Sequence, residues 1–159
     1  MYTDLFIRSL GLNDGLLGDA NIHGEWHHEV KGIYLDAHIR EKDIAKSHVY
    51  GYIYPIKPTS ALNLQIEADS TNLKFIEHYM SSITPEFNGR ASGNVHFYGK
   101  FKRLTMEGRV LGDASMKVDV LNTTFFIKDS ILIEPNGLTF HNNRIFDPQG
   151  NQGHVNGYL

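Results

Sequence analysis

The sequence predicts an all-β protein built from antiparallel strands. Apolar and polar residues alternate with a period of two in almost every segment, the pattern of a strand with one buried and one solvated face. Turn-forming residues interrupt this alternation every ~10–14 positions, as hairpin-linked strands require. The 8 Tyr, 9 Phe and 15 Gly are also typical of strands and the tight turns between them.

Strands follow one another through the first half of the chain. The first is predicted over residues 2–8, and a loop over residues 11–18 contains the strong turn signal Asn13-Asp14-Gly15. A hairpin link at residues 29–32 and a charged turn at Glu41-Lys42-Asp43 separate the strands that follow. The segments with alternating character are 20–26, 33–39, 44–54 and 62–68.

One segment departs from the two-residue period. Leu73, Ile76, Met80 and Ile83 share one helical stripe, which predicts a short helix over about residues 73–83. This helix would either cap the open end of the sheet or act as a reversible plug. Alternation returns in residues 91–97, 104–110, 114–120, 125–134 and 138–141. The last strand, residues 153–159, ends without a closing element, which suggests a fragment of a longer protein.

Composition argues against several classes of protein. The net charge is −3 and the basic residues are scattered, so no nucleic-acid partner is predicted. The chain has no cysteine, which excludes disulfides and thiolate metal sites. Residues 1–10 lack the basic start and apolar core of a signal peptide. The sequence contains no run of ~18 apolar residues, so no membrane-spanning helix is predicted.

The predicted sheet has more apolar surface than its own residues can cover. Roughly thirty apolar side chains fall on one face, and each gains ~1.5–3 kcal/mol from burial. Three arrangements would bury them: a closed barrel, a two-layer sandwich, or a sheet curled into a U that holds apolar chains of another molecule. The glycines that would permit sharp coiling are Gly51, Gly93, Gly99, Gly108 and Gly112. The residue pattern leaves these arrangements open.

The last third of the chain carries a distinctive succession of strand and turn motifs. They are Leu121-Asn122-Thr123-Thr124-Phe125, Asp129-Ser130, Ile133-Glu134-Pro135-Asn136-Gly137, Phe140-His141-Asn142, Asp147, Gly150-Asn151 and Asn156-Gly157. This succession resembles the C-terminal region of the TamB family, the translocation and assembly module subunits of the AsmA-like class, in their Bacteroidota-like form. Residues 61–110 fit the same pattern, and the resemblance extends from about Asp14 to the end. Gly153-His154 departs from it, without affecting any functional motif.

The resemblance implies a fold and a function together. Residues 1–159 would be a single fragment of a longer β-groove region, a curled, sandwich-like antiparallel sheet called a β-taco, with one short helix. The protein would be a non-enzymatic component of the periplasm, anchored in the inner membrane through residues outside this sequence. It would act in outer-membrane protein translocation and assembly or in inter-membrane phospholipid transport.

The implied partners follow from that function. They are phospholipid acyl chains or outer-membrane protein clients, together with an outer-membrane barrel partner of the full-length protein. Exposed strand edges also predict pairing between copies of the fragment. The predicted groove residues are Ile33, Leu35, Ile39, Leu62, Leu64, Ile66, Val95, Phe97, Met106, Val118 and Val120.

Candidate chemical sites are weak in this sequence. His23, His27 and His28 lie close together, but solvent-facing strand histidines explain them better than a metal site. Asp36 and Glu67, with Glu134, could form paired carboxylates of a small hydrolase, although charged strand faces are usually just solvated. No catalytic, metal or cofactor site is therefore predicted.

The aromatic residues support an alternative function. Trp26 could form a sugar-stacking platform in a carbohydrate-binding or adhesive β-sandwich, although core or cross-strand packing is the more common role. Tyr50, Tyr52 and Tyr54 alternate along one strand and predict a ladder of stacked rings on one face of the sheet.

Overall fold

A computed structural model describes residues 1–57, 60–76, 86–100, 103–135 and 137–158. All strands belong to one 10-stranded antiparallel sheet in which each strand pairs with the next along the chain. The strands are β1 (Tyr2–Leu12), β2 (Gly15–His27), β3 (Gly32–Glu41), β4 (Ala45–Ile53), β5 (Leu62–Asn72), β6 (Phe87–Lys100), β7 (Arg103–Val118), β8 (Thr123–Glu134), β9 (Gly137–Phe146) and β10 (Gln152–Tyr158). The all-β antiparallel prediction is confirmed. Because β1 and β10 are free edges, the described strands do not close into a barrel, and all ten lie in one continuous sheet.

The sequence-based boundaries were wrong at two turns. The strands β1 and β2 continue through most of the loop predicted over residues 11–18, because Asn13 and Asp14 alone make the turn, with Asn13 at φ 52°. The strand predicted over residues 114–120 ends at Val118, where a 3₁₀ helix, η2 (Asp119–Leu121), begins. The left-handed conformation of Asn122 (φ 45°) then ends η2 and directs the chain into β8.

The predicted helix over residues 73–83 is only partly covered by the structure. A single 3₁₀ turn, η1 (Lys74–Ile76), follows β5. Residues 77–85 lie outside the described part of the chain.

The strand register separates the sheet into two chemically distinct faces. On the apolar face, side chains of neighbouring strands form cross-strand rows. These rows are Trp26–Ile33–Ile53–Leu62, Leu35–Gly51–Leu64–Phe97–Met106, Ile22–Ala37–Val49–Ile66–Val95–Gly108 and Ala20–Ile39–Ser47–Ala68–Gly93–Val110. The polar face carries the alternate residues, among them the rows Tyr34–Tyr52–Asn63–Tyr98, His23–Asp36–Tyr50–Gln65–His96–Glu107 and Asn21–His38–His48–Glu67–Asn94–Arg109.

The sheet is curled, and its glycines allow this. Strands β2 and β5 would lie ~14 Å apart in a flat sheet, yet they are in contact, and η1 contacts the start of β2. Asn13 Nδ2 donates to the carbonyl of Phe75 at 2.7 Å across this approach. Gly51 has φ 136°, and a Cβ there would lie 2.2 Å from the carbonyl oxygen of Asn63 on β5, so only glycine fits this close passage of two strands.

Two packed regions stabilise the second half of the sheet. Phe87, Ala114 and Ile127 form a small core on β6–β8, and the partly buried residues packed against it are Leu73, Met116, Ile131, Phe140 and Ile145. Asn143, 2% exposed, lies near the register shift between β8 and β9. Its side chain accepts a hydrogen bond from the backbone N–H of His141 and donates one to the carbonyl of Ser130, both at 2.7 Å.

Candidate functional site

The apolar face of β3–β7 brings together nearly all the predicted groove residues. Ile33, Leu35 and Ile39 on β3 share this face with Leu62, Leu64 and Ile66 on β5, Val95 and Phe97 on β6, and Met106 on β7. Val118 lies on the same face at the end of β7, opposite Thr123. Val120 does not belong to it, because it lies in η2 and is 94% exposed.

Among the described strands no second sheet covers this face, and yet it is partly buried. Leu62 and Leu64 are each 8% exposed, whereas Met106 on β7 is 47% exposed. The other predicted members on β3, β5 and β6 are half-buried. Within the described residues, burial therefore comes from the curl of the sheet and from neighbouring side chains. The apolar surface that remains is the type that marks a binding site in soluble proteins.

The single tryptophan lies at one end of this face. Trp26 on β2 pairs with Ile33 on β3 and is half-buried. Its Nε1–H donates to Nδ1 of His28 at 3.2 Å, and the two rings meet edge to face. Trp26 is therefore placed among the aliphatic side chains of the apolar face.

Tyrosine rings form the ladder on the polar face that the sequence predicts. Tyr52 stacks on Tyr54 with ring centroids 5.8 Å apart and meets Tyr34 on the adjacent strand edge to face at 5.3 Å. Tyr50 instead packs against the ring of His48 at 4.6 Å. His27 joins the ladder, with its Nδ1 3.0 Å from the Tyr52 hydroxyl.

The three histidines singled out in the sequence have separate partners. His23 Nδ1 lies 2.6 Å from Asp4 Oδ1 on β1, and this hydrogen bond raises the pKa of His23 above its ordinary value. His27 lies beside Tyr52, and His28 beside Trp26. His23 and His27 are four residues apart along β2, which corresponds to ~13 Å in an extended strand. They do not form one site.

A different set of residues converges on the polar face. Asp36 Oδ1 lies 2.8 Å from His48 Nε2 and 3.3 Å from His38 Nε2. Spacing along the chain does not reveal this set, because His48 is ten positions from His38. A usable signal was present, since both histidines lie five residues from Asp43 in the predicted charged turn, and a hairpin centred there pairs them.

The carboxylates considered for hydrolysis lie on three different strands. Asp36 on β3 contacts His48, Glu67 on β5 accepts a hydrogen bond from the Tyr50 hydroxyl at 3.0 Å, and Glu134 on β8 accepts one from the Thr139 hydroxyl. Asp36 and Glu67 flank the same ring, that of His48, whereas Glu134 lies on a distant strand.

Two further findings bear on function. In the described part of the chain, no helix is both long enough and apolar enough to cross a membrane. No protein-family model, curated protein or solved structure matches the chain.

Proposed function

We propose that this chain is a segment of a TamB-like periplasmic β-groove whose apolar face shields phospholipid acyl chains from water between the inner and outer membranes. The observation that carries the proposal is the curled, single-layer apolar face, on which Leu35, Phe97 and Met106 lie in one cross-strand row. Shielding of this kind is passive and needs no catalytic residue. Direction and energy would come from other parts of the envelope.

The chemistry of the face favours an acyl chain over a polypeptide as its occupant. The cross-strand rows contain aliphatic and aromatic side chains, glycines and alanines, with Ser47 as the polar exception. An acyl chain has no hydrogen-bonding groups and needs none from the surface. A client strand would need partners for its backbone N–H and C=O groups, which these side chains cannot supply.

Outer-membrane protein assembly is the second candidate, and the free strand edges favour it. The outer edges of β1 and β10 are unpaired within the described sheet, and an unpaired edge can accept an extended client strand. Leu5 and Phe6 on β1 are 51% and 53% exposed, so this edge also offers apolar contacts. The same edges would allow two copies of the chain to pair.

Fluorescence of Trp26 tests the acyl-chain proposal directly. The chain has one tryptophan, so quenching by a phospholipid with brominated acyl chains reports contact with the apolar face. We expect concentration-dependent quenching by the brominated phospholipid and none by its water-soluble headgroup alone.

A matched pair of variants assigns the quenching to the apolar face. Val95→Asp places a carboxylate on this face, and Asn94→Asp places the same charge on the polar face one residue away. Quenching should be lost in the first variant and retained in the second. Absence of quenching in the unmodified chain, or equal loss in both variants, would contradict the proposal. Glycan binding that is lost in Trp26→Ala would instead support the carbohydrate-binding alternative.

A further inference from the structure

The polar face carries a cluster of metal-ligand side chains on β3 and β4. Asp36 and His38 are two residues apart on β3 and therefore point to the same side of the sheet. His48 on β4 is the direct cross-strand partner of His38. One potential ligand atom from each of the three residues lies within 4.8 Å of the other two. We propose that Asp36, His38 and His48 bind a divalent transition-metal ion, with Zn²⁺ as the best-matched ion.

The ligand distances suit a zinc site. Zinc binds imidazole nitrogen and carboxylate oxygen at ~2.0–2.2 Å, so two ligands of a tetrahedral site lie ~3.3–3.5 Å apart. Asp36 Oδ1 is already 3.3 Å from His38 Nε2 and 2.8 Å from His48 Nε2. Two of the three ligand pairs are thus near the separation that a tetrahedral site requires, and the third lies within 4.8 Å.

The ligand types also match. Two histidines and one carboxylate form a known three-residue set for zinc, in which a water molecule takes the fourth position. The side chain of His38 is 61% exposed, so solvent reaches the open side of the cluster. The site would therefore bind an ion from solution without any opening of the sheet.

A carboxylate lies near the second ring nitrogen of His48. Glu67 Oε2 lies 3.9 Å from His48 Nδ1, on the side of the ring away from the proposed ion. The Tyr50 hydroxyl donates to Glu67 Oε1 at 3.0 Å and so fixes this carboxylate. A carboxylate near the second nitrogen of a histidine ligand is the usual support of a metal-bound imidazole.

Metal binding would require two local changes. The His38 and His48 rings are stacked 4.2 Å apart with an interplanar angle of 9°, so their nitrogen lone pairs lie in two nearly parallel planes. The rings must open slightly for both Nε2 atoms to aim at one ion. Each Nε2 must also be free of its proton, which in a neutral ring then resides on Nδ1, and for His48 this places an N–H toward Glu67.

Calorimetric titration of the chain with ZnCl₂, together with the visible spectrum of the Co²⁺-loaded chain, tests the site. We expect saturable binding of one Zn²⁺ per chain and the intense absorption of four-coordinate Co²⁺. His38→Ala, His48→Ala and Asp36→Asn should each weaken Zn²⁺ binding by at least about tenfold and abolish that absorption. Glu67→Gln, a change in a positioning residue, should weaken binding by about tenfold or more while the four-coordinate spectrum remains.

His96→Ala is the matched control. His96 is also on the polar face but bonds to Asn63 and Glu107, outside the cluster. This variant should bind Zn²⁺ as the unmodified chain does. Far-UV circular dichroism checks that every variant keeps the sheet. If an alanine variant unfolds, the conservative variants Asp36→Asn and Glu67→Gln still test the site. Equal loss in His48→Ala and His96→Ala, or a six-coordinate Co²⁺ spectrum, would show adventitious binding to surface histidines and overturn the proposal.

Discussion

Replacing Ile66 by alanine tests whether the apolar face lacks a covering layer. Ile66 lies on β5 between Val49 and Val95 and is half-buried, whereas Leu64 on the same strand is 8% exposed. Ile66→Ala and Leu64→Ala each remove three carbon atoms from the same face. They differ in how much of the side chain is withdrawn from water.

The expected cost of each substitution follows from this difference. Three buried carbons correspond to ~2.4 kcal/mol of transfer free energy at ~0.8 kcal/mol each. For Leu64→Ala a cavity contribution adds to this, and we expect a loss of about 3 kcal/mol in the free energy of unfolding. Ile66 is only half-buried, so less transfer free energy is lost in Ile66→Ala, and the vacated space opens to solvent. We therefore expect a loss of about 1.5 kcal/mol in the free energy of unfolding.

Urea unfolding followed by far-UV circular dichroism, with Trp26 fluorescence as a second probe, measures both values. Gln65→Ala, on the polar face between the two positions, is the control and should change stability by no more than about 0.5 kcal/mol. A loss in Ile66→Ala as large as that in Leu64→Ala would mean that the face is covered, and the reasoning would fail.

The remaining predictions concern the curl, the β8–β9 irregularity and one histidine. Gly51→Ala should lower the free energy of unfolding by about 1–3 kcal/mol. The reason is that Gly51 has φ 136° and that an added Cβ would meet the backbone of β5. The control Gly112→Ala should cost much less in the same urea assay, because its Cβ would make only an ordinary 3.5 Å contact. Asn143→Ala should cost about 1–3 kcal/mol in thermal or urea unfolding, because it removes the buried amide that bonds the His141 N–H and the Ser130 carbonyl. The hydrogen bond to Asp4 is the main cause of the raised pKa of His23. The stabilisation by protonated His23 is therefore complete below about pH 6.5, the unfolded-state pKa, and is lost as the pH rises through the higher folded-state pKa. Asp4→Asn should lower that pKa in an NMR titration, and an unchanged value would refute the assignment.

The sequence predicts the faces of the sheet better than its detailed path. Alternation assigns Leu35, Leu64 and Phe97 to one side because the pleat allows no other arrangement, and the structure agrees. Strand ends are set by backbone conformations that leave weaker signals. The 3₁₀ turn η2 begins at Asp119 and removes Val120 from the face to which alternation assigns it.

The histidine–carboxylate cluster shows what alternation alone cannot provide. Each of Asp36, His38 and His48 lies on the polar face of its own strand, as their positions predict. Their meeting depends on the register between β3 and β4, which the turn around Asp43 sets. If the hairpin turn is placed at Asp43, counting five residues to either side pairs His38 with His48.

The same alternation keeps the two proposed sites chemically separate. Ala37 faces the apolar side between Asp36 and His38, so an ion bound to its neighbours would lie across the sheet from an acyl chain. Val95→Asp should therefore abolish quenching of Trp26 by brominated lipid without weakening Zn²⁺ binding, and His48→Ala should do the reverse. Loss of both properties in one variant would indicate loss of the sheet that holds the two faces apart, and far-UV circular dichroism would detect it.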